Sequence, residues 1–366
     1  MKRNLIILFV FSLCAFNTNA GYERSLGKSA KGLLMGDAFT TLAYEDRTLF
    51  YNPALLARHK GFSFYPLNPI FSAPNVVNDM DTYTDLGSDP ADVADVLLGT
   101  PIHLGIDYAP GFKMGQFGLS AIMNYDSNFS LQNQVTPSLN VDHRYDKGFI
   151  AGVGFNVTNE IAAGASIKYI KRESIYGSYN LTGYTLLDAL NAGEITDVLD
   201  SLGKIQGSGW GVDAGIDYRK ITDGDSFFSM GFVLQDIYTI LQTEENEDDL
   251  EVQAQPLVAN FGTAWSSKVG GGFGLTLSAD IKHLEKQMEF MQRVHLGMEL
   301  ALSPALTLFA GVNAIDNYSY GFKVNLFILD VFIGAYSREI GEKLQQQQSD
   351  EVLVYVSLFD FTFDTL

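Results

Sequence analysis

Four basic residues, Lys168, Arg293, His295 and Lys323, fall on the polar sides of segments that alternate apolar and polar residues. A cation held on the inner face of a closed structure is the partner that a carboxylate head group would seek. The sequence also offers these cations partners of its own. Asp280 comes opposite Arg293 or His295, depending on register, and Asp213 or Asp217 can reach Lys168. Lys323 has no evident partner, so it is the first candidate to meet a head group, with Arg293 and Lys168 as further candidates. Other chemistry finds little support. His59, His103, His143, His283 and His295 are scattered without metal-ligand spacing, and no Gly-x-Ser-x-Gly elbow is present. The run Glu244-Glu245-Asn246-Glu247-Asp248-Asp249 matches no calcium loop and reads as a solvated loop; bridging of lipopolysaccharide by divalent cations is the alternative. No cofactor, no metal and no enzymatic activity are expected.

The segments that must position these residues are strands. Phe149, Ala151, Val153, Phe155 and Val157 alternate with Gly148, Gly152, Gly154 and Asn156; Trp210, Val212, Ala214, Ile216 and Tyr218 alternate with Gly209, Gly211, Asp213, Gly215 and Asp217. Phe273 to Ile281, Val294 to Leu300 and Tyr320 to Leu326 repeat the pattern, a period of two that specifies half-buried strands. Strand one starts at Gly61 to Tyr65 and is followed by an acidic loop with Asp79, Asp81 and Asp85 and a short helix; strand three runs from Phe117 to Tyr125. Alternation alone fits a soluble sandwich as well as a barrel. Connection lengths separate the two: they are short at Thr158-Asn159-Glu160, Lys268 to Gly271 and Ser303-Pro304, and long at Ser127 to Val141, Ser174 to Gly207 and Thr239 to Gln255. Such asymmetry belongs to membrane barrels. The expected fold is therefore all-β: a membrane-spanning antiparallel β-barrel of about fourteen strands with an N-terminal hatch inside the lumen.

Composition agrees. Gly 35, Tyr 18 and Phe 26 against Pro 10 suit long strands with aromatic girdles. No stretch supplies the ~20 apolar residues of a spanning helix. The formal charge of −19 becomes −21 when Lys2 and Arg3 leave with a leader, which argues against nucleic acid as a partner. A basic start, an apolar run from Leu5 to Phe16 and Thr18-Asn19-Ala20 mark residues 1–20 as a signal peptide. Cys14, the single cysteine, lies within it. Residues 21–60 form the expected hatch and 61–366 the barrel.

The hatch reading rests on Met35-Gly36-Asp37-Ala38, Glu45-Asp46 and Leu49-Phe50-Tyr51-Asn52-Pro53-Ala54-Leu55-Leu56-Ala57. Gly36 and Ala38 are small, Asn52 can cap the next turn, and Pro53 suits a first helical position, so Gly36, Asn52, Pro53 and Ala54 are expected to fix the hatch. The glycines on the polar strand faces leave room for it. After strand five, Leu186, Leu187 and Leu190, and then Ile195, Val198, Leu199 and Leu202, have the spacing of two amphipathic helices. They form a self-packed lid or an outer groove for apolar ligands.

The Met-Gly-Asp-Ala and Asn-Pro-Ala stretches together resemble the hatch of the long-chain fatty acid outer-membrane transporter (FadL-like) superfamily. That resemblance implies a bacterial outer-membrane location among lipid, a monomer, and passive uptake of a hydrophobic small molecule such as a long-chain fatty acid. It implies a first binding site in the loop groove, at Leu186, Leu187, Leu190, Val198 and Leu199. Ligand would leave sideways through a wall gap near a kinked third strand, although Phe117 to Tyr125 has no proline and its one glycine, Gly118, stands at the start. The superfamily's secretion-associated (PorV-like) members offer the alternative: a barrel that binds or shuttles secreted proteins and transports no small molecule.

Overall fold

The computed structural model describes residues 25–75, 101–132, 138–180, 203–222, 226–245, 250–270, 272–339 and 348–363. The signal-peptide segment, the acidic loop with its short helix, and the leucine-rich segments between 181 and 202 lie outside them.

Fourteen strands follow one another around a closed ring. They are β1 (Phe62–Tyr65 and Ile70–Pro74), β2 (Pro101–Tyr108 and Gly111–Met114), β3 (Phe117–Gln132), β4 (Ser138–Asn156), β5 (Ile161–Asn180), β6 (Ile205–Ile221) and β7 (Phe227–Gln235 and Ile240–Thr243). The ring continues with β8 (Val258–Gly270), β9 (Phe273–Ile281), β10 (Val294–Ser303), β11 (Leu306–Asn313), β12 (Asn317–Asn325), β13 (Leu329–Glu339) and β14 (Gln348–Leu358 and Phe361–Phe363). Every neighbour is antiparallel, and β14 returns to β1 through Phe62↔Phe363 and Glu351↔Pro74. An even-stranded, closed ladder leaves no edge, the condition for crossing lipid with strands.

Burial is inverted relative to a soluble domain. Trp210, Ile216, Leu277 and Leu296 are 52%, 53%, 44% and 49% exposed, while Lys168, Asp213, Asp217 and Asp280 on the alternate positions are buried. The apolar face meets lipid and the polar face meets the lumen, as the alternation predicts.

The bounds of all three long connections change, since β5 runs to Asn180, β6 begins at Ile205 and β7 resumes at Ile240, and so do those of the first strand. Ser127 to Val141 is not mainly loop: β3 continues to Gln132, β4 begins at Ser138, and their ladder runs without interruption from Phe117↔Val153 to Gln132↔Ser138. At about 3.4 Å per residue and a tilt near 40°, the 20 residues of β5 rise about 50 Å, well beyond a ~25 Å apolar band. Nor does the first strand stop at Tyr65, because it resumes at Ile70 after Pro66 to Pro69. Prolines cannot donate to a ladder, so they interrupt the strand without ending it.

Inside the ring, residues 25–61 form the hatch. Helix α1 (Ala30–Leu34) is capped by Ser29, whose hydroxyl accepts the Gly32 N–H; α2 (Thr48–Tyr51) runs into a 3₁₀ turn at Pro53–Arg58. Asn52 caps that turn, its Oδ1 accepting the Ala54 N–H at 3.1 Å, with Pro53 in the first position as expected. The hatch buries Leu34, Met35, Phe39, Leu55 and Leu56 against two apolar patches of the lumen wall, one around Phe309 and Phe332, the other around Ile122, Ile150 and Ile170. Wall glycines are its seats. A Cβ on Gly164 would stand 2.5 Å from the Pro53 carbonyl, and one on Gly215 2.0 Å from Asn52 Oδ1. Gly36, at φ +62, lies so close to β10 and β11 that a Cβ would be 2.7 Å from the Leu296 carbonyl oxygen, so backbone freedom and space both require glycine there.

Candidate functional site

The hatch divides the lumen into an upper and a lower compartment. The upper one, on the side of the long connections, is a cavity of about 220 Å³. Its apolar side comes from Leu26, Leu33, Phe50, Ile150, Val258 and Met288, and its polar side includes Lys28, Asp37, Arg144, Lys168, Asp236 and Lys282. Residues 253–256 fold over it, tied down by Arg172, which donates to the carbonyls of Gln253 and Ala254 and to Gln255 Oε1. The lower compartment, about 280 Å³, lies against the hatch turn at Tyr44 to Asp46 and is closed on the wall side by Tyr65, Lys113, Lys323, Asp330 and Tyr355 among others.

The cations expected to receive a head group separate accordingly. Lys168 reaches the upper cavity, Lys323 the lower one, and Arg293 lines neither. Lys168 Nζ stands 2.8 Å from both Asp213 and Asp236. Asp213 was expected from its position on the neighbouring strand; Asp236 was not. It occupies the break in β7 at φ +56, which turns its side chain inward, where Gln255 also donates to it. Lys323 does have a partner: Asp330, 2.7 Å away across the β12–β13 hairpin. Arg293 belongs to a short 3₁₀ turn (Phe290–Arg293) before β10 and donates to the Lys286 carbonyl. The carboxylate-capturing trio is thus not assembled, and the two lysines already have carboxylate partners.

Asp280 pairs in register with His295, and its carboxylate serves the hatch rather than a cation opposite. It accepts the N–H groups of Phe39 and Thr40 at 2.8 Å and the Thr40 hydroxyl at 2.7 Å. His295 in turn contacts the Gly36 carbonyl at 2.7 Å. Asp37 pairs with Lys282. Burial works against ionisation of Asp37, but the Lys282 ammonium outweighs it and holds the carboxyl below the ordinary carboxylate range. Lower down, Arg58 meets Asp217 at 3.1 Å.

Arg47, not singled out in the sequence, is the most heavily engaged hatch residue. It is 1% exposed, and its guanidinium donates to the carbonyls of Lys28 (2.9 Å), Ala109 (3.2 Å) and Asn68 (3.0 Å) while pairing with Asp107 at 2.9 Å and Asp46 at 3.5 Å. The signal was available: an arginine inside an apolar-flanked plug must find several acceptors. It sits where β1 and β2 lose their ladder, between Tyr65↔Gly111 and Ile70↔Asp107. The Asn68 amide replaces the missing bonds, donating to the Ala109 carbonyl at 2.9 Å and accepting its N–H at 3.3 Å. The third strand, by contrast, is paired along both edges. No wall gap exists at β3, because neither a proline nor an internal glycine kink interrupts its hydrogen bonding.

Ser127 Oγ and His143 Nδ1 approach to 2.5 Å across β3 and β4, but Ser127 is wholly buried, so the pair offers no accessible nucleophile. Among the described residues no group of three or more His, Cys, Asp and Glu side chains could hold a metal ion. The leucine-rich groove residues Leu186, Leu187, Leu190, Val198 and Leu199 lie outside the described residues.

A closed fourteen-strand antiparallel barrel whose N-terminal segment fills its own lumen defines a class: the plugged membrane barrels. No protein-family model and no curated protein matches the sequence. Solved structures do. The toluene transporter TbuX of Ralstonia pickettii matches with a TM-score of 0.51 at 11% identity, over 92% of this chain and 100% of that one. The toluene transporter TodX of Pseudomonas putida matches with a TM-score of 0.51 at 13% identity, over 93% and 99%. The monoaromatic hydrocarbon channel CymD gives 0.50 at 9% identity, over 92% and 98%. At such identities it is the fold that is shared, and at that level the resemblance seen in the hatch motif holds.

Proposed function

We propose that this chain is an outer-membrane channel for passive uptake of small hydrophobic or amphipathic molecules, and that its ligand is uncharged. The fold supports a hydrophobic-substrate channel, since the structural neighbours named above are a pair of toluene transporters and a monoaromatic hydrocarbon channel. The observation that carries the uncharged ligand is the pairing of four lumen lysines; Lys113, which lines the lower compartment, instead donates to the Tyr44 and Glu45 carbonyls. Lys28 with Asp126, Lys168 with Asp213 and Asp236, Lys282 with Asp37 and Lys323 with Asp330 all have carboxylate partners. A fatty carboxylate would have to displace one of these carboxylates, and breaking a buried ion pair costs several kcal/mol, on the order of 3–5. A neutral molecule needs no such exchange: it can lay an apolar body on Leu26, Phe50 and Ile150 and hydrogen-bond at the opposite side.

The alternative, a barrel that presents secreted proteins, depends on loops outside the described residues and has no described feature in its favour. Solvent extraction of the purified barrel followed by mass spectrometry tests the reading. A neutral small molecule retained in stoichiometric amount is expected; fatty acids in that place would overturn the charge argument, and a stably co-purifying secreted protein would favour the alternative.

A further inference from the structure

Much of the polar lining of the upper cavity is spent within the protein. Lys28 is paired with Asp126, Lys168 with Asp213 and Asp236, and Lys282 with Asp37, which also accepts the Tyr51 hydroxyl at 2.9 Å. Gln235 donates to the Phe50 carbonyl, Gln255 to Asp236 and Asn313 to the Ser337 carbonyl. His295 differs, because only one of its two ring nitrogens is used.

His295 is the second residue of β10 and stands on the lumen face between Asp280 of β9 and Asn313 of β11. It lines the cavity and is only half-buried. Its Nδ1 lies 2.7 Å from the Gly36 carbonyl oxygen. A carbonyl can only accept, so Nδ1 carries the proton and the hatch fixes the tautomer. Asp280, opposite in register, is occupied by the Phe39 and Thr40 N–H groups, and among the described residues no carboxylate pairs with the imidazole. At neutral pH the ring is therefore uncharged, and its Nε2 is a bare acceptor. No described residue donates to it. With the Nδ1 edge against the hatch, the Nε2 edge is the part of the ring left to the cavity. Leu33 and Phe50 of the hatch, with Val258 and Met288 across from them, give the same cavity an apolar side. A hydrocarbon laid there displaces water from the imidazole and returns no hydrogen bond; a molecule with a hydroxyl returns one.

We propose that His295 selects the ligand of this channel, and that the ligand is a neutral hydroxyl compound, an alcohol or phenol, whose O–H donates to Nε2 while the Gly36 carbonyl holds the other ring nitrogen. The inference rests on the channel reading above and narrows it. His283 lines the cavity too, from the loop after β9, where its Nδ1 faces Glu285 at 3.3 Å. It serves as the control.

The test uses radiolabelled p-cresol and p-fluorotoluene, which are close in shape and uncharged at neutral pH; only p-cresol can donate. Their dissociation constants are measured by equilibrium dialysis against the purified barrel in a single detergent, for the native chain, His295→Asn and His283→Asn. Asparagine puts an amide N–H where Nδ1 stood, so it keeps a donor for Gly36 and removes Nε2. Hydroxyl selection predicts that His295→Asn weakens p-cresol about tenfold, the size of one net hydrogen bond, and p-fluorotoluene by no more than about twofold. Exchange at the Asp37 amide, bonded to the Gly32 carbonyl, should stay as slow as in the native hatch. His283→Asn should leave both constants in place. Unchanged p-cresol binding in His295→Asn, or a loss confined to His283→Asn, would overturn the inference. Equal weakening of both probes would overturn it as well, since that is the mark of a displaced hatch. Uptake into porin-deficient cells separates this inference from the reading beneath it. A native barrel that speeds neither probe overturns the channel reading and this inference with it, whereas one that speeds both probes equally overturns this inference alone.

Discussion

Replacing Arg47 by Met keeps most of the side-chain volume and removes the guanidinium from the centre of the hatch. The structure sets the consequence. Three backbone carbonyls, of Lys28, Ala109 and Asn68, lose a donor, and Asp46 and Asp107 lose their shared cation inside a site where Arg47 is 1% exposed. Removing one member of a buried ion pair costs about 3–5 kcal/mol, and so little exposure leaves no solvent screening to discount. The ladder of β8 to β13 makes no use of Arg47, so the cost falls on docking of the hatch. Amide hydrogen exchange on the folded barrel in detergent reads this directly. Exchange at Leu33 and Asn52, whose N–H groups are bonded within the hatch, should accelerate by about two to three and a half orders of magnitude, taking 1.4 kcal/mol per decade. Amides of β9 and β10 should keep their protection. Arg47→Lys should fall between, because an ammonium keeps the charge but cannot span three carbonyls in a fork. Equal loss of protection in hatch and wall, or none in either, would refute the assignment of Arg47 as the bond between hatch and seam.

Other consequences can be checked alongside. Leu277→Arg should destabilise the barrel by roughly 2–4 kcal/mol in lipid, read from refolding into vesicles, while Ser278→Arg, buried against the hatch at Met35, should spare the wall and raise leakage of small polar solutes. Asn52→Ala removes a cap worth about 0.5–2 kcal/mol and should increase the same leakage at normal surface abundance. Acid should loosen the hatch. Asp37 is held below its ordinary range by Lys282, so the stability it contributes is present above the unfolded value near 4 and is lost as pH falls through the lower folded value. Limited proteolysis of the hatch should therefore speed up below about pH 4, and Asp37→Asn should abolish that part of the pH dependence.

Much of this architecture was legible because a membrane barrel writes its geometry into a period of two. Trp210, Val212 and Ile216 against Asp213 and Asp217 separate lipid from lumen without a structure, and Asn52-Pro53 announces the capped turn of the hatch. Long-range chemistry was less legible. Lys323 looked unpartnered because its carboxylate stands across a hairpin on the diagonal rather than directly opposite: Lys323 pairs in register with Phe332, not Asp330. Asp236 reaches Lys168 only through a strand break with a left-handed residue, which alternation cannot foresee. Asp280 was read as an ion-pair partner for a neighbouring strand and is instead an acceptor for the backbone of a segment 240 residues away. Ile122, Ile150 and Ile170 broke the polar pattern of the lumen face, and the reason lies in the hatch residues Leu49, Phe50 and Leu56 that cover them. At these apolar patches the rule that the lumen is polar gives way to ordinary core packing, whereas Asp217, Asp280 and Lys282 meet the hatch through polar contacts.

Paired uptake of octanol and octanoate distinguishes the proposed hatch-sealed channel for uncharged ligands from a carrier of fatty carboxylates. Both probes have the same chain length and differ in charge at neutral pH. In porin-deficient cells the barrel should accelerate octanol uptake and leave octanoate uptake near the level of cells without it. Faster barrel-dependent entry of octanoate than of octanol would contradict the account, because it would require the paired lumen cations to exchange their carboxylates for the ligand's.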